Sequence, residues 1–538
     1  MADPPAIQNF SEGPSIFKLH EDLVWRIFLF NADLNDQIAT YVGQSLAAPF
    51  TTNGLTVTRR TSQVCRSWRS LILSSTAIWG RVIDLPILNR SSELWSREVL
   101  KRTGEAALDI KGELLGTSPY PLFLFLVQHH WTRIRSLDVG IFAVGWISKE
   151  AWEFLKQPAP NMKVFSIRFH DLYPDNQGFF SETNMKLFAN RASSLRELLI
   201  SHITFDPRAS WLANLRNLDL ASPFPLRRLL EILKNTPVLE NLVLRGETID
   251  NWQPAEQVTL PRLRTINISH RLRTCLAVLE CISPASDCGI TVTARDIPPD
   301  IPLLSDEVTR LRSTISRFSQ AYFSAWKVTQ VYLRLSVHAF RFEAGFTSDE
   351  MTLPPISAPE FNVNIDLGKS AEFPPQECLS ILADITNDAF SDVSTLTIHA
   401  FTTAYGNSHF ASFISALASV KELRATPSAL GALVDIQVPG HPFDDGESNP
   451  VVVFPQLRTL VIDFEFVHFY ISNFLSWRRR NGGTPLEVLD LTNVQIYEDD
   501  EVGEKFRDTE LYSALLQHHH NEWRTDYVDS TTSSWPRW

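Results

Sequence analysis

From residue 134 onward the chain repeats one spacing of apolar positions: apolar, two residues, apolar, one residue, apolar. It reads Ile134–Leu137–Val139, Met162–Phe165–Ile167, Leu195–Leu198–Ile200, Leu215–Leu218–Leu220, Leu239–Leu242–Leu244 and Leu263–Ile266–Ile268. It returns as Val393–Leu396–Ile398, Leu457–Leu460–Ile462 and Leu486–Leu489–Leu491, with Val420–Leu423–Ala425 a weaker copy. The alternation within each copy predicts a short strand with one buried face. Between copies, residues 225–234, 306–326, 375–387 and 409–417 carry helical spacing. Strands alternating with helices predict an α/β fold with a parallel sheet. Ahead of the repeats, Leu19, Leu23 and Ile27 recur every fourth residue, flanked by Val24 and Phe28, and predict a helix. Glu21 and Asp22 suit its first turn, where the helix dipole is positive. A second helix is expected over Thr61–Ser74, with Val64, Cys65, Trp68, Leu71 and Ile72 as its apolar stripe. Arg59, Arg60, Arg66 and Arg69 sit on or near its other side, Thr61 or Ser62 can cap it, and a third, shorter helix covers Ser75–Trp79.

In the first six copies, successive starts lie 20 to 33 residues apart. That brackets the ~20–29 residues of leucine-rich repeats, in which each repeat adds one parallel strand to a curved inner sheet with helices outside. Residues 270–390 lack clean copies, yet 289–293, 331–337 and 361–367 alternate like strands. They read as degenerate repeats of one array; a break into two arrays near Pro354-Pro355 is the alternative. If the pattern residues face the core, the residues between them face the concave side. Arg168, His170, Asp219, Arg245, Asn267, His399 and Asp463 are therefore candidates for binding a target protein. The expected organisation is a disordered 1–15, a helical module 16–85 with an insertion at 31–60, a helical connector 86–130, a repeat array 131–500 and a C-terminal cap or tail 501–538.

The order of residues in the helical module is specific. Leu19-His20-Glu21-Asp22-Leu23-Val24-Trp25-Arg26-Ile27-Phe28 is followed by Ser62-Gln63-Val64-Cys65-Arg66-Ser67-Trp68-Arg69 and then Ile78-Trp79. This resembles the F-box family, and more narrowly the F-box proteins of mushroom-forming fungi. The resemblance extends through Glu93–Leu100, Arg102-Thr103-Gly104, Ala107–Ile110, His130–Asp138 and Phe154–Pro160. It implies docking to a Skp-type linker protein and through it to a cullin scaffold carrying a RING subunit. Leu19, Leu23, Ile27, Phe28, Val64, Trp68 and Trp79 would divide between the module's own core and that contact. Two departures stand out. The usual Leu-Pro opening is Leu19-His20, which gives up the preorganisation of proline at the first helical position. Residues 31–60 also separate the first two helices, where the family has fewer, and carry the turn signal Thr51-Thr52-Asn53-Gly54. That insertion is either a surface loop or an element that obstructs or modulates docking.

Composition narrows the function classes. The 538 residues are too many for one ordinary core, and 44% apolar with 20% charged residues marks a globular chain. A net charge of −12 argues against a nucleic-acid partner, Arg478-Arg479-Arg480 being the one local basic run and read as a solvated helix end. The five cysteines are too sparse for a disulfide framework, and Cys275, Cys281 and Cys288 are spaced for packing rather than zinc. No secretory signal and no apolar run of membrane-spanning length is present, so the expectation is an intracellular protein, cytoplasmic and/or nuclear, without a membrane partner. His518-His519-His520 reads as a polar tail, Glu498–Glu501 as an exposed loop, and the aromatic stretch Trp523–Trp538 as a cover for the last repeat. None of the nucleotide, hydrolase or metalloprotease signatures occurs, and no catalytic residue, cofactor or metal is expected. The leading expectation is a substrate-recognition subunit of an SCF-type ubiquitin ligase that contributes proximity, not chemistry. A repeat scaffold acting outside a ligase, and an enzyme without a local signature, are the alternatives.

Overall fold

The computed structural model describes residues 19–33, 53–115, 120–142, 149–170, 185–221, 224–245, 257–295, 305–336, 338–345, 359–368, 375–386, 388–400, 407–436, 453–465, 468–491 and 494–495. The N-terminal segment 1–15, the tail 501–538, Glu498–Glu501 and His518–His520 lie outside the described residues. The chain divides into two compact units, Met1–His270 with Ala277–Ala285, and Arg271–Leu276 with Ser286–Trp538.

The first unit opens with helices α1 (Glu21–Asp33), α2 (Gly54–Thr61), α3 (Arg66–Ser74) and α4 (Thr76–Arg81). Val24, Phe28 and Ala32 form the buried face of α1. Trp25 Nε1 donates to Ser75 Oγ at 2.9 Å, and Arg81 pairs with Asp33. The expected second helix is interrupted. Ser62 Oγ donates to the Arg59 carbonyl at 2.7 Å, competing with the helical ladder, and the chain turns. Helix α3 restarts at Arg66 with Cys65 as its cap, the sulfur accepting from Trp68 N–H. The end of the insertion is the helix α2, not a surface loop. Asn53 caps it and reaches Asp84, while Leu55 and Thr58 are buried. Gly54 lies against α1 so closely that a Cβ would stand 2.5 Å from the Ala32 carbonyl oxygen.

Strands β1 (Ile83–Asp84), β2 (Leu108–Leu114), β3 (Ile134–Ile141), β4 (Val164–Phe169), β5 (Glu197–Ser201), β6 (Asn217–Ala221), β7 (Asn241–Arg245) and β9 (Thr265–His270) pair in that order, every neighbour parallel. The short β8 (Val258–Thr259) pairs with β10 (Ile282–Ser283). The sheet therefore starts within the expected helical module and runs through the expected connector, where α5 (Leu85–Arg90), α6 (Glu93–Arg102) and α7 (Pro121–His129) flank β2. Strand β2 escapes the spacing search because Gly112-Glu113 interrupts its apolar pattern. The pattern residues fall into two rows across the sheet. Leu137, Phe165, Leu198, Leu218, Leu242 and Ile266 are in register, as are Val139, Ile167, Ile200, Leu220, Leu244 and Ile268, and all are buried. Beneath β3 to β6 the connections are mostly 3₁₀ turns; a longer helix, α8 (Leu226–Lys234), follows β6. Helix α9 (Leu272–Glu280) carries the division between the units.

The second unit contains β11 (Gly289–Arg295), α10 (Ser305–Ala325), β12 (Gln330–Leu335), β13 (Ala339–Gly345), β14 (Phe361–Asp366), α11 (Pro375–Ile385), β15 (Thr395–Ala400), α12 (Ser408–Ser415), β16 (Glu422–Ala425), α13 (Pro427–Val434), β17 (Thr459–Ile462), β18 (Phe464–Glu465), α14 (His468–Arg480), β19 (Val488–Asp490) and β20 (Val494–Gln495). Its sheet order is β11-β14-β13-β12-β15-β16-β17-β19, with β13 antiparallel to both β12 and β14. This corrects the expectation of one parallel strand per repeat through 270–390. Only residues 336–338 join β12 to β13, far fewer than the dozen or so a parallel crossover needs, so the chain doubles back. Arg478 is a second correction. It is buried on α14 and donates to the carbonyls of Val453, Phe454 and Thr484 at 3.0–3.2 Å, leaving Arg479 and Arg480 as the solvated pair. No helix among the described residues is long and apolar enough to cross a membrane.

The Gly54 contact generates a test. Gly54→Ala should lower stability by about 1–3 kcal/mol through overpacking against α1. A reduced urea midpoint at unchanged m-value would show it; an unchanged midpoint would mean α2 does not pack on α1.

Candidate functional site

Two surfaces of the first unit carry most of the candidate residues; His399 and Asp463 lie in the second unit. The first is the outer side of α1. Leu19, Leu23 and Ile27 are 40%, 48% and 39% exposed, and with Arg26 and Phe30 they line a shallow groove of ≈ 450 Å³. Helix α1 is thus apolar on two sides, with Val24, Phe28 and Ala32 facing in and Leu23, Ile27 and Phe30 facing out. Among the described residues, this second apolar stripe is left exposed. Phe30 escaped the sequence reading, although its spacing of three from Ile27 continues the stripe. His20 compensates for the missing proline. Its carbonyl accepts from Leu23 and Val24 N–H at 2.9 and 3.2 Å, and its Nδ1 accepts from Asp22 N–H at 3.3 Å, so it caps the helix.

The other residues expected at the linker contact divide. Val64 is exposed in the turn before α3. Phe28 and Trp79 are buried, on the side of the module's own core in that division. Trp79 Nε1 donates to the Ile72 carbonyl at 2.8 Å, Arg102 stacks over its ring at 5.2 Å, and Trp95 meets it edge-on. Phe28 packs edge-on against the half-buried Trp68, their centroids 5.0 Å apart. The aromatic core of the module holds α1, α3, α4 and α6 together.

The second surface is the polar face of the sheet. Arg168 on β4 lies 3.3 Å from Glu113 on β2 and 3.2 Å from Asp138 on β3. Ser166 donates to Asp138 at 2.6 Å, and His170 approaches Glu113 at 3.4 Å while stacking on Phe142 with centroids 4.1 Å apart. Gly140 makes the Glu113 contact possible. It lies in register between Glu113 and Arg168, and a Cβ there would stand 1.7 Å from Glu113 Oε2. Arg245 on β7 pairs with Asp219 on β6 at 3.3 Å. Asn217, Asn241 and Thr265 form a hydrogen-bonded ladder of 2.7 and 2.6 Å across three strands, and Asn267 stands in register with Val243, two strands from Asp219. The structure thus brings Arg168, His170, Asp219 and Arg245 onto one face. Glu113 was missed because β2 breaks the repeat template.

Asp219 is nearly buried, and burial raises its carboxyl pKa above the ordinary 3.8 despite the attraction of Arg245 and Arg168. In the second unit, His399 on β15 packs beside Tyr332 on β12 with centroids 5.5 Å apart. Burial lowers the His399 pKa, Asp463 raises it and Arg334 lowers it; the net direction is down. Arg341 lies over Tyr332 at 5.0 Å and pairs with Glu343 at 2.5 Å. Arg341 and Glu343 were not foreseen because β13 belongs to no repeat. Among the described residues no group of three or more His, Cys, Asp or Glu is placed to hold a metal ion. Cys275, Cys281 and Cys288 are buried, with the Cys288 thiol pushed up to about 12 by burial and then by Asp287.

No family model and no curated protein matches this chain.

Asp219 supplies a pH test. Its folded-state pKa is raised, so its contribution to stability is fully present below the ordinary carboxylate value and is lost as pH rises through the folded value. Asp219→Asn should therefore gain melting temperature relative to the parent near pH 7 and show a smaller advantage toward pH 3.5. A parent-like melting profile across that range would contradict the assignment.

Proposed function

We propose that this chain is a non-catalytic adaptor. In this reading its N-terminal helices form an F-box that docks to a Skp-type linker protein and through it to a cullin scaffold. The strands form a leucine-rich-repeat array that holds a target protein for ubiquitin transfer. The observation that carries the reading is the two-sided α1: one apolar side is spent on the module's core, and the other is exposed as Leu19, Leu23, Ile27 and Phe30. A helix that keeps a second apolar stripe in water has a partner to cover it. The polar strand face, with charged groups of both signs, supports the receptor half of the reading. Proximity then does the work, because tethering converts a bimolecular encounter into an intramolecular one.

Co-expression with a Skp-type protein tests this. The parent chain should co-purify with it, and Leu23→Asp/Ile27→Asp should abolish co-purification while leaving the melting temperature within a degree or two, since both residues are exposed. Trp79→Ala should instead lower stability by about 3–5 kcal/mol as a cavity in the core. A well-folded parent chain that never co-purifies would end the reading.

A scaffold acting outside a ligase is the second reading, and one observation favours it: the insertion returns as α2 and packs on α1 beside Ala32. Joining residue 33 to residue 53 by a short Gly-Ser linker separates the two. Linker binding present in both chains supports the adaptor; linker binding that appears only after the deletion identifies the insertion as a block on docking.

A further inference from the structure

In the second unit, strand register sets Thr293, Asn364, Arg341, Arg334 and His399 in one line across the sheet. On each strand their neighbours are core residues, so the five share the solvent face. Every member carries an N–H or O–H donor and none is an acid. Arg334 and Arg341 stand directly opposite each other on antiparallel strands, a placement that costs stability through like-charge repulsion. Arg341 is compensated by Glu343 and by the Tyr332 ring. Arg334 is exposed and forms no ion pair among the described residues. Arg334, fourth in the row, is therefore left as its uncompensated positive charge. This occurs in a chain whose net charge is −12, so general composition does not account for it.

We propose that this row receives an acidic segment of the partner protein, laid across the strands with Arg334 as its principal contact. The proposal rests on the reading of the strand face as a receptor surface and names the chemistry of what it receives. Five strands at ~4.8 Å spacing make a row of about 19 Å, which matches five or six extended residues and exceeds a single small anion. Guanidinium groups present forked donors to two-oxygen anions, while Thr293 and Asn364 can bond the backbone or side chains of the segment. The anion is a carboxylate or a phosphoryl group carried on a polypeptide; both offer the same oxygens.

The test uses the full-length chain and fluorescence anisotropy. Three ten-residue peptides are compared: one of Asp and Glu, its Asn/Gln analogue, and a phosphoserine analogue. At low salt at least one anionic peptide should bind and the neutral one should not, with affinity falling as salt rises. Binding by the Asp/Glu peptide identifies carboxylate as sufficient; binding by the phosphoserine peptide alone identifies phosphoryl. Arg334→Glu should weaken binding by about tenfold or more, and Arg334→Gln by less. Lys327→Glu, an exposed cation paired with Asp392 off the row, should leave it unchanged. Failure of both anionic peptides to bind, or equal weakening by Arg334→Glu and Lys327→Glu, would overturn the proposal. Co-purification with the Skp-type protein is read in parallel. Peptide binding lost with docking retained removes this inference alone, and docking lost with peptide binding retained removes the ligase reading alone.

Discussion

The register of two apolar rows governs the first unit. Leu137, Phe165, Leu198, Leu218, Leu242 and Ile266 stack strand to strand, two residues before Val139, Ile167, Ile200, Leu220, Leu244 and Ile268. Side chains alternate faces with a period of two, so a one-residue slip of any strand would send its apolar set into water. That penalty pins each strand and thereby fixes which residues reach the opposite face. Arg168 meets Asp138 and Glu113, and Arg245 meets Asp219, because the buried rows leave them no other place. Phe188 shows how strongly the core is held. It is fully buried against Trp131, Phe165 and Trp211, and the chain there passes through three left-handed residues, Phe188, Ala189 and Asn190. Such conformations persist only where the surrounding packing over-determines them.

The same constraint gives the two units different surface chemistry. In the first, Arg168 lies between two carboxylates, and Gly140 leaves room for one of them. Half-exposed pairs of this kind are each worth only about 0–1 kcal/mol, so their value is in orienting groups more than in holding the sheet. In the second, the antiparallel strand β13 sets Arg341 opposite Arg334 and extends a line of donors across five strands. One surface has paired charge of both signs; the other has an uncompensated cation.

Helix α1 joins this architecture to the docking reading. A helix buried on one side normally turns a polar side to water. Here the outward positions 19, 23, 27 and 30 are apolar as well, while Gly54 and Arg81 tie the helix to its neighbours from behind. The outer stripe is therefore not needed for the module's own packing, which the aromatic group of Phe28, Trp68, Trp79 and Trp95 supplies.

The sequence by itself determined the parts whose signal is periodic. The repeat spacing located strands β3 to β7, β9 and β15 to β17, and the alternation of helical and strand spacing set the α/β class, because a buried row imposes its period on the chain. It placed Arg168, Asp219 and Arg245 on the polar side for the same reason. It did not separate Phe28 from Ile27 or Trp79 from Leu23, since an apolar residue has the same pattern whether its cover is the protein's own core or a partner. Nor did it show β2, whose Gly112-Glu113 breaks the template, or the reversal at residues 336–338. Only the tertiary structure decided these, because burial and strand direction depend on what packs from elsewhere in the chain: Ile72 and Arg102 against Trp79, β12 and β14 on either side of β13.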